Sequence, residues 1–223
     1  GEMTMELMDN ETKEQVKGAL KEMQGSVHAL VFTAEEGCVA CKETVAIIEE
    51  IAGLSDKITF QHLDVDKDKE IAEKYGVDRS PAIIIMKGTE KEHEYLGIRF
   101  FGIPAGYEFT SLLDSILTVS IGITGISEEG QKFLKELKKD IHMQVFVTPT
   151  CPYCPKAVIL AHHMAMVSDK VTADMVEAQE FPELSQKYKV MGVPRTVINE
   201  KYHQEGAAPE KMIIQLLEKV QSE

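Results

Sequence analysis

The residues best suited to chemistry are the four cysteines, and all four fall in two pairs, Cys38-Val39-Ala40-Cys41 and Cys151-Pro152-Tyr153-Cys154. Cross-links three residues apart constrain almost nothing, so these pairs cannot be the main staples of a 223-residue fold. Two thiols at i, i+3 on a first helical turn lie on one face, within disulfide reach. Each pair follows an apolar stretch and precedes an amphipathic one. The first cysteine is therefore expected where unpaired N–H groups and the positive helix end stabilise a thiolate. On this reading Cys38 and Cys151 attack, and Cys41 and Cys154, one turn later and more shielded, resolve the mixed disulfide. Glu35 and Glu36 oppose ionisation of Cys38, partly offset by Lys42, whereas Thr148-Pro149-Thr150 before Cys151 is uncharged. Cys151 is expected to be the more acidic thiol.

A proline accompanies each pair at the same distance. Pro81 lies 43 residues after Cys38, and Pro194 lies 43 after Cys151. Each leads into an apolar strand, Ala82–Ile85 or Arg195–Ile198. A proline entering a strand removes a donor, which suggests a special turn with a cis peptide bond as one option. Ser80-Pro81 and Val193-Pro194 would expose backbone groups beside the cysteines, where an extended substrate could pair in strand fashion.

Other readings of these residues are weaker. Structural zinc uses paired cysteines with a spacer of about 15–20 residues, and here Cys41 and Cys151 are separated by 109. His162-His163 could suggest a metal, but neighbours on a helix diverge by about 100°, so a half-exposed pair is expected. No metal ligand is assigned.

The elements that position the pairs come from an internal repeat. Shifted by 113 residues, Cys38–Ile85 aligns with Cys151–Ile198 without a gap, with 14 identities in 48 positions, including both cysteines, the proline, and Ser55-Asp56-Lys57 against Ser168-Asp169-Lys170. Two related units follow, 1–121 and 122–223, meeting in the stretch Thr118–Ser127. Its aliphatic residues predict units that pack together. In the first, helices are expected over Glu11–Met23, Cys38–Ala52, Lys69–Tyr75 and from Pro104 to Leu117. Strands are expected over His28–Thr33, Ile58–Asp64 and Ala82–Met86, with His93–Ile98 as an edge strand. In the second, helices are expected over Glu128–Lys139, Pro152–Met166, Pro182–Tyr188 and Pro209–Val220. Strands are expected over Met143–Val147, Val171–Val176, Thr196–Ile198 and Tyr202–Glu205. Pro155 must lie in the first helical turn, because deeper it would break the helix. The order in each half is α-β-α-β-α-β-β-α, an α/β arrangement of mixed strands flanked by helices.

Composition narrows the function classes. Asp plus Glu exceed Lys plus Arg by 37 to 24, a net charge of −13, which argues against sequence-independent nucleic-acid binding. No apolar run approaches the ~18 residues of a membrane helix, and the first residues show no basic region followed by an apolar stretch. Neither nucleic acid nor membrane is an expected partner.

At the CxxC pairs and the two prolines the chain resembles the thioredoxin superfamily. Cys151-Pro152-Tyr153-Cys154 resembles a glutaredoxin active site. Two such units, with Tyr75–Ala82, Phe101–Phe109, Val145–Pro155 and Met191–Pro194, resemble the protein disulfide oxidoreductases of thermophilic archaea and bacteria. The resemblance implies two tandem thioredoxin folds, each a mixed β-sheet flanked by helices. It implies redox-active disulfides Cys38–Cys41 and Cys151–Cys154 with no further cofactor, and substrate contacts at Ser80, Pro81, Val193, Pro194, Pro152 and Tyr153. It also implies protein substrates bearing thiols or disulfides, a cytoplasmic setting, and an NADPH-dependent flavoprotein reductase of the thioredoxin reductase type. The buried aspartate of thioredoxin falls near Phe32 and Val145 here and is missing. Asp64 and Glu177, matched across the repeat, are substitute candidates against an ordinary strand-end role.

The expected function is protein thiol–disulfide exchange. The alternatives are an electron-relay or binding module with one working CxxC, and a structural zinc protein.

Overall fold

The computed structural model describes residues 7–223. The first half contains α1 (Asn10–Leu20), β1 (Val27–Thr33), α2 (Cys41–Ala52), β2 (Ile58–Asp64), α3 (Lys69–Lys74), β3 (Ala82–Gly88), β4 (His93–Phe101) and α4 (Glu108–Ile121). The second repeats the order with α5 (Glu128–Lys135), β5 (Ile141–Val147), α6 (Cys154–Val167), β6 (Val171–Glu177), α7 (Pro182–Lys187), β7 (Arg195–Ile198), β8 (Tyr202–Glu205) and α8 (Glu210–Gln221). Local chemistry sets several of these starts. Asp9 caps α1 by accepting from Thr12 N–H at 2.7 Å, and Ser127 caps α5 by accepting from Gly130 N–H at 3.0 Å.

The strands form one eight-stranded sheet in the order β2-β1-β3-β4-β6-β5-β7-β8. β1, β3 and β5 are buried along nearly their whole length, as strands covered on both faces must be. The large core, on one face, joins residues of α1, α2, α4, α5, α6 and α8. On the other face, one smaller cluster beside α3 belongs to the first half and one beside α7 to the second, and Phe181 touches both.

The sheet is continuous because β4 is not an edge strand, contrary to the sequence expectation. It pairs with β6 in parallel, Ile98↔Ala173 to Phe101↔Val176. Its C-terminal half is buried, including Arg99, whose charge disguises an interior strand. Arg99 forms a buried two-point ion pair with Asp174, at 2.7 and 2.9 Å. Gly97 permits the approach: at φ +80°, a Cβ there would stand 2.5 Å from the Val171 carbonyl oxygen.

His162 is likewise not half-exposed, whereas His163 is partly buried. His162 is 1% exposed, lies 3.0 Å from the Arg99 carbonyl oxygen and packs edge-on to Phe100. His163 joins Asp114 on α4 at 2.8 Å and accepts from Gly125 N–H. The two histidines diverge as helical geometry requires, but α4 and β4 of the first half cover both directions. Pro104 also lies outside a helix: residues 102–107 form a loop, and α4 begins only at Glu108.

Candidate active site

Both cysteine pairs are closed as disulfides, with Cα–Cα separations of 5.6 Å for Cys38–Cys41 and 5.5 Å for Cys151–Cys154. The helices start later than expected. Cys41 and Cys154 are the first helical residues, while Cys38 and Cys151 sit in the preceding turn. Pro152 therefore lies in that turn and Pro155 in the first turn of α6. Neither helix start carries a side-chain cap, so its first N–H groups remain available to a sulfur anion. Cys154 is fully buried and Cys41 nearly so, whereas Cys38 is half-buried.

The prolines reach the same end of the sheet. Phe32 on β1 faces Ala82 on β3, and Phe146 on β5 faces Arg195 on β7. That register brings Pro81 and Pro194 beside the turns after β1 and β5. Ser80-Pro81 and Val193-Pro194 are both cis. The Val193 carbonyl oxygen lies 3.8 Å from Cys151 Sγ. Pro81 and Pro194 accept from Gly102 and Gly206 N–H at 2.9 and 2.8 Å, so the turn is built alike in both halves. Ser80 is half-buried, and Tyr153 is 72% exposed.

The charges near Cys38 differ from the sequence picture. Lys67, on the turn after β2, pairs with Glu35. Asp64 accepts from Asp66 and Lys67 N–H at 2.9 and 3.0 Å, and these bonds hold its carboxyl below the usual range. Glu177 likewise accepts from Gln179 and Glu180 N–H. Both carboxylates thus hold turns at strand ends.

A buried carboxyl lies outside β1 and β5, at the start of α4. Glu108, the first residue of α4, is 0% exposed. Its Oε1 accepts from Ser111 Oγ at 2.7 Å, and its Oε2 has no partner. Burial, partly opposed by Ser111, pushes its pKa up to about 7. α4 and α6 follow parallel strands and share one core, so they run in the same direction. His163 touches Asp114 and Thr118. Followed back to the helix starts, that register sets Glu108 level with the first turn of α6, which holds Cys154. At the same end Tyr107 N–H donates to the Pro149 carbonyl oxygen at 2.9 Å. In sequence Glu108 is indistinguishable from an ordinary helix-start acid. Its one signal is its place in the Phe101–Phe109 stretch.

Sequence comparison agrees with this geometry. Residues 6–100 match the family described as "Thioredoxin", and residues 141–219 match "Thioredoxin domain". The chain belongs to the thioredoxin superfamily. It carries two units of that superfamily in tandem. Among solved structures, the protein disulfide oxidoreductase of Aeropyrum pernix K1 is 26% identical with a TM-score of 0.89, covering 100% of this chain and 97% of that one. The NTD_N/C domain of alkyl hydroperoxide reductase from Enterococcus faecalis is 27% identical with a TM-score of 0.86, covering 95% and 100%. The F subunit of alkyl hydroperoxide reductase from Staphylococcus aureus is 27% identical over 196 residues, 86% of this chain and 34% of that protein. "NADH dehydrogenase" of Bacillus subtilis is 23% identical over 193 residues, again 34% of its length. The chain thus spans about a third of the length of the curated relatives it matches. As a thioredoxin-superfamily protein with two CxxC disulfides, it is a thiol–disulfide oxidoreductase.

Proposed function

We propose that the chain exchanges disulfides with protein substrates at both CxxC sites, in units 1–121 and 122–223. The Cys151 thiolate attacks a substrate disulfide, forms a mixed disulfide and releases one substrate thiolate. Cys154 gives its proton to the Glu108 carboxylate and attacks Cys151 Sγ. The second substrate thiolate leaves, and two electrons have passed to the substrate. Cys38 and Cys41 carry out the same exchange in the first unit. Ser80, Pro81, Val193, Pro194, Pro152 and Tyr153 contact the substrate. The observation that carries this reading is the 3.8 Å approach of the Val193 carbonyl oxygen to Cys151 Sγ, which sets the proline turn directly against the disulfide.

The two sites act separately. Strands β1 and β5, which feed them, are four strand positions apart in the sheet, about 19 Å at ordinary strand spacing. Sulfurs must touch to exchange, so a partner carries electrons between sites. The same separation weighs against one zinc ion held by all four cysteines, and no group of three or more His, Cys, Asp or Glu among the described residues could hold a metal.

The electron source is an NADPH-dependent flavoprotein reductase. The likeness to the F subunit of alkyl hydroperoxide reductase supports a second reading, in which this segment takes electrons from a reductase that belongs to the same system. A cytoplasmic, thermophilic setting follows from the family resemblance alone. No helix among the described residues is long and apolar enough to cross a membrane. The test is insulin-disulfide reduction by the two double variants, Cys38→Ser/Cys41→Ser and Cys151→Ser/Cys154→Ser. Each should retain part of the rate. Loss of all activity in both would favour an obligatory relay, and full activity in both would refute exchange at these cysteines.

A further inference from the structure

The surfaces around the two disulfides differ in kind. Among the described residues, the large apolar side chains left exposed include Tyr107 at 51%, Tyr153 at 72% and Met191 at 91%. All three border the second disulfide. Tyr153 is inside the CxxC turn. Met191 lies two residues before Val193, whose carbonyl oxygen approaches Cys151 Sγ. Tyr107 is bonded through its backbone to Pro149, two residues before Cys151. It belongs to the first unit, yet it stands at the rim of the second unit's site. Gly106 makes this possible: at φ +60°, a Cβ there would collide with the Pro149 carbonyl oxygen.

The repeat supplies an internal control. Met191-Gly192-Val193 corresponds in register to Asp78-Arg79-Ser80. There Arg79 donates to Asp78 at 3.0 Å, so the matching rim of the first site is polar and ion-paired. The counterpart of Tyr153 is Ala40, which is buried. Tyr107 directly precedes the first residue of α4, and in α8, the matching helix of the second unit, that position is Pro209 and not an aromatic residue. Among the described residues, Val39 is thus the one large apolar side chain exposed at the first rim.

From these differences we propose that the second site selects extended partner segments with apolar residues flanking the cysteine, that Tyr107 of the first unit is one of its specificity-determining residues, and that the first site lacks this selection. The inference rests on the thiol–disulfide reading above. Exposed aromatic faces and a thioether on the segments that border the sulfur bury an apolar side chain from water, while the Val193 turn aligns the partner backbone. A charged flank would lose its hydration there without a partner.

The test compares two peptide disulfides, one with leucine and one with aspartate on either side of the cysteine. Each is reduced by full-length protein in the Cys38→Ser/Cys41→Ser and the Cys151→Ser/Cys154→Ser backgrounds. The protein with only its second site should favour the leucine peptide in kcat/KM by about tenfold or more, the scale on which apolar contacts discriminate. The protein with only its first site should show no such preference. In the second-site background, Tyr107→Ala should reduce the preference severalfold and Tyr107→Phe should preserve it. Equal preference at both sites, or an unchanged ratio in Tyr107→Ala, would overturn the proposal. If neither site reduces either peptide, the thiol–disulfide reading itself fails.

Discussion

Arg99 on β4 and Asp174 on β6 are held by two hydrogen bonds, 2.7 and 2.9 Å long, inside the sheet that joins the two halves. Arg99 also donates to the Tyr75 and Gly76 carbonyl oxygens, at 2.8 and 3.1 Å. His142 Nε2 lies 2.6 Å from the second Asp174 oxygen. Burial alone would raise the Asp174 pKa, yet Arg99 and His142 hold it below the usual carboxylate range. Removing one member strands a buried charge. Arg99→Ala is expected to lower unfolding free energy by about 3–5 kcal/mol, read by denaturant titration. Arg99→Met with Asp174→Leu should recover most of it, and a single-variant loss below about 1 kcal/mol would show that the pair does not tie the halves.

A second prediction concerns Glu108. With its second site alone active, the protein should show a pH–rate limb near 7, the value to which burial pushes this carboxyl. Glu108→Gln should abolish that limb and slow the site by about 10²-fold, and Glu108→Asp should restore part of the rate. A purely structural residue would alter thermal stability and leave the limb in place. The stability sign is also fixed. A raised carboxyl pKa stabilises the fold fully below the unfolded value of 4.5 and loses that contribution as pH climbs through about 7. Glu108→Gln should therefore remove a decline in stability between these values.

His162 predicts the opposite limb. Burial lowers its pKa to about 4, with the Arg99 carbonyl bond acting against that shift. The folded state binds fewer protons than the unfolded chain, so this contribution is present above 6.5 and is lost as pH falls toward about 4. Thermal melts of the wild type should fall across that window, and His162→Gln should be flatter there. Parallel curves would dismiss His162 as the acid-sensitive group.

How much of this molecule is legible in the sequence depends on where each residue's partner lies. The cysteine spacing, the paired prolines and the repeat rest on intervals within one unit, and they locate both disulfides and their neighbouring turns. Residues whose partners lie in the other half are the ones the sequence misplaces. His93–Ile98 reads as an edge strand because its neighbour, β6, begins only at Val171 in the other half. His162 reads as half-exposed because β4, which covers it, comes from the first unit. Glu108 and Tyr107 have no visible role because no local pattern shows that their loop docks on Pro149. The helices α2 and α6 start two or three residues later than expected, because the turns Val39-Ala40 and Pro152-Tyr153 resemble helical turns in sequence.

Cys151→Ser should remove most protein disulfide reduction, because the second site combines an uncharged approach to its first cysteine with the buried Glu108 carboxyl. Insulin reduction at an unchanged rate would reverse the ranking of the two sites.

The decisive experiment is a redox titration of the full chain in graded thiol buffers, with alkylation and peptide mass mapping of each CxxC pair. Both pairs should pass reversibly between dithiol and disulfide, at two distinct potentials. A pair that stays reduced or metal-bound across the whole range would contradict the reading of this chain as a protein with two working thiol–disulfide sites.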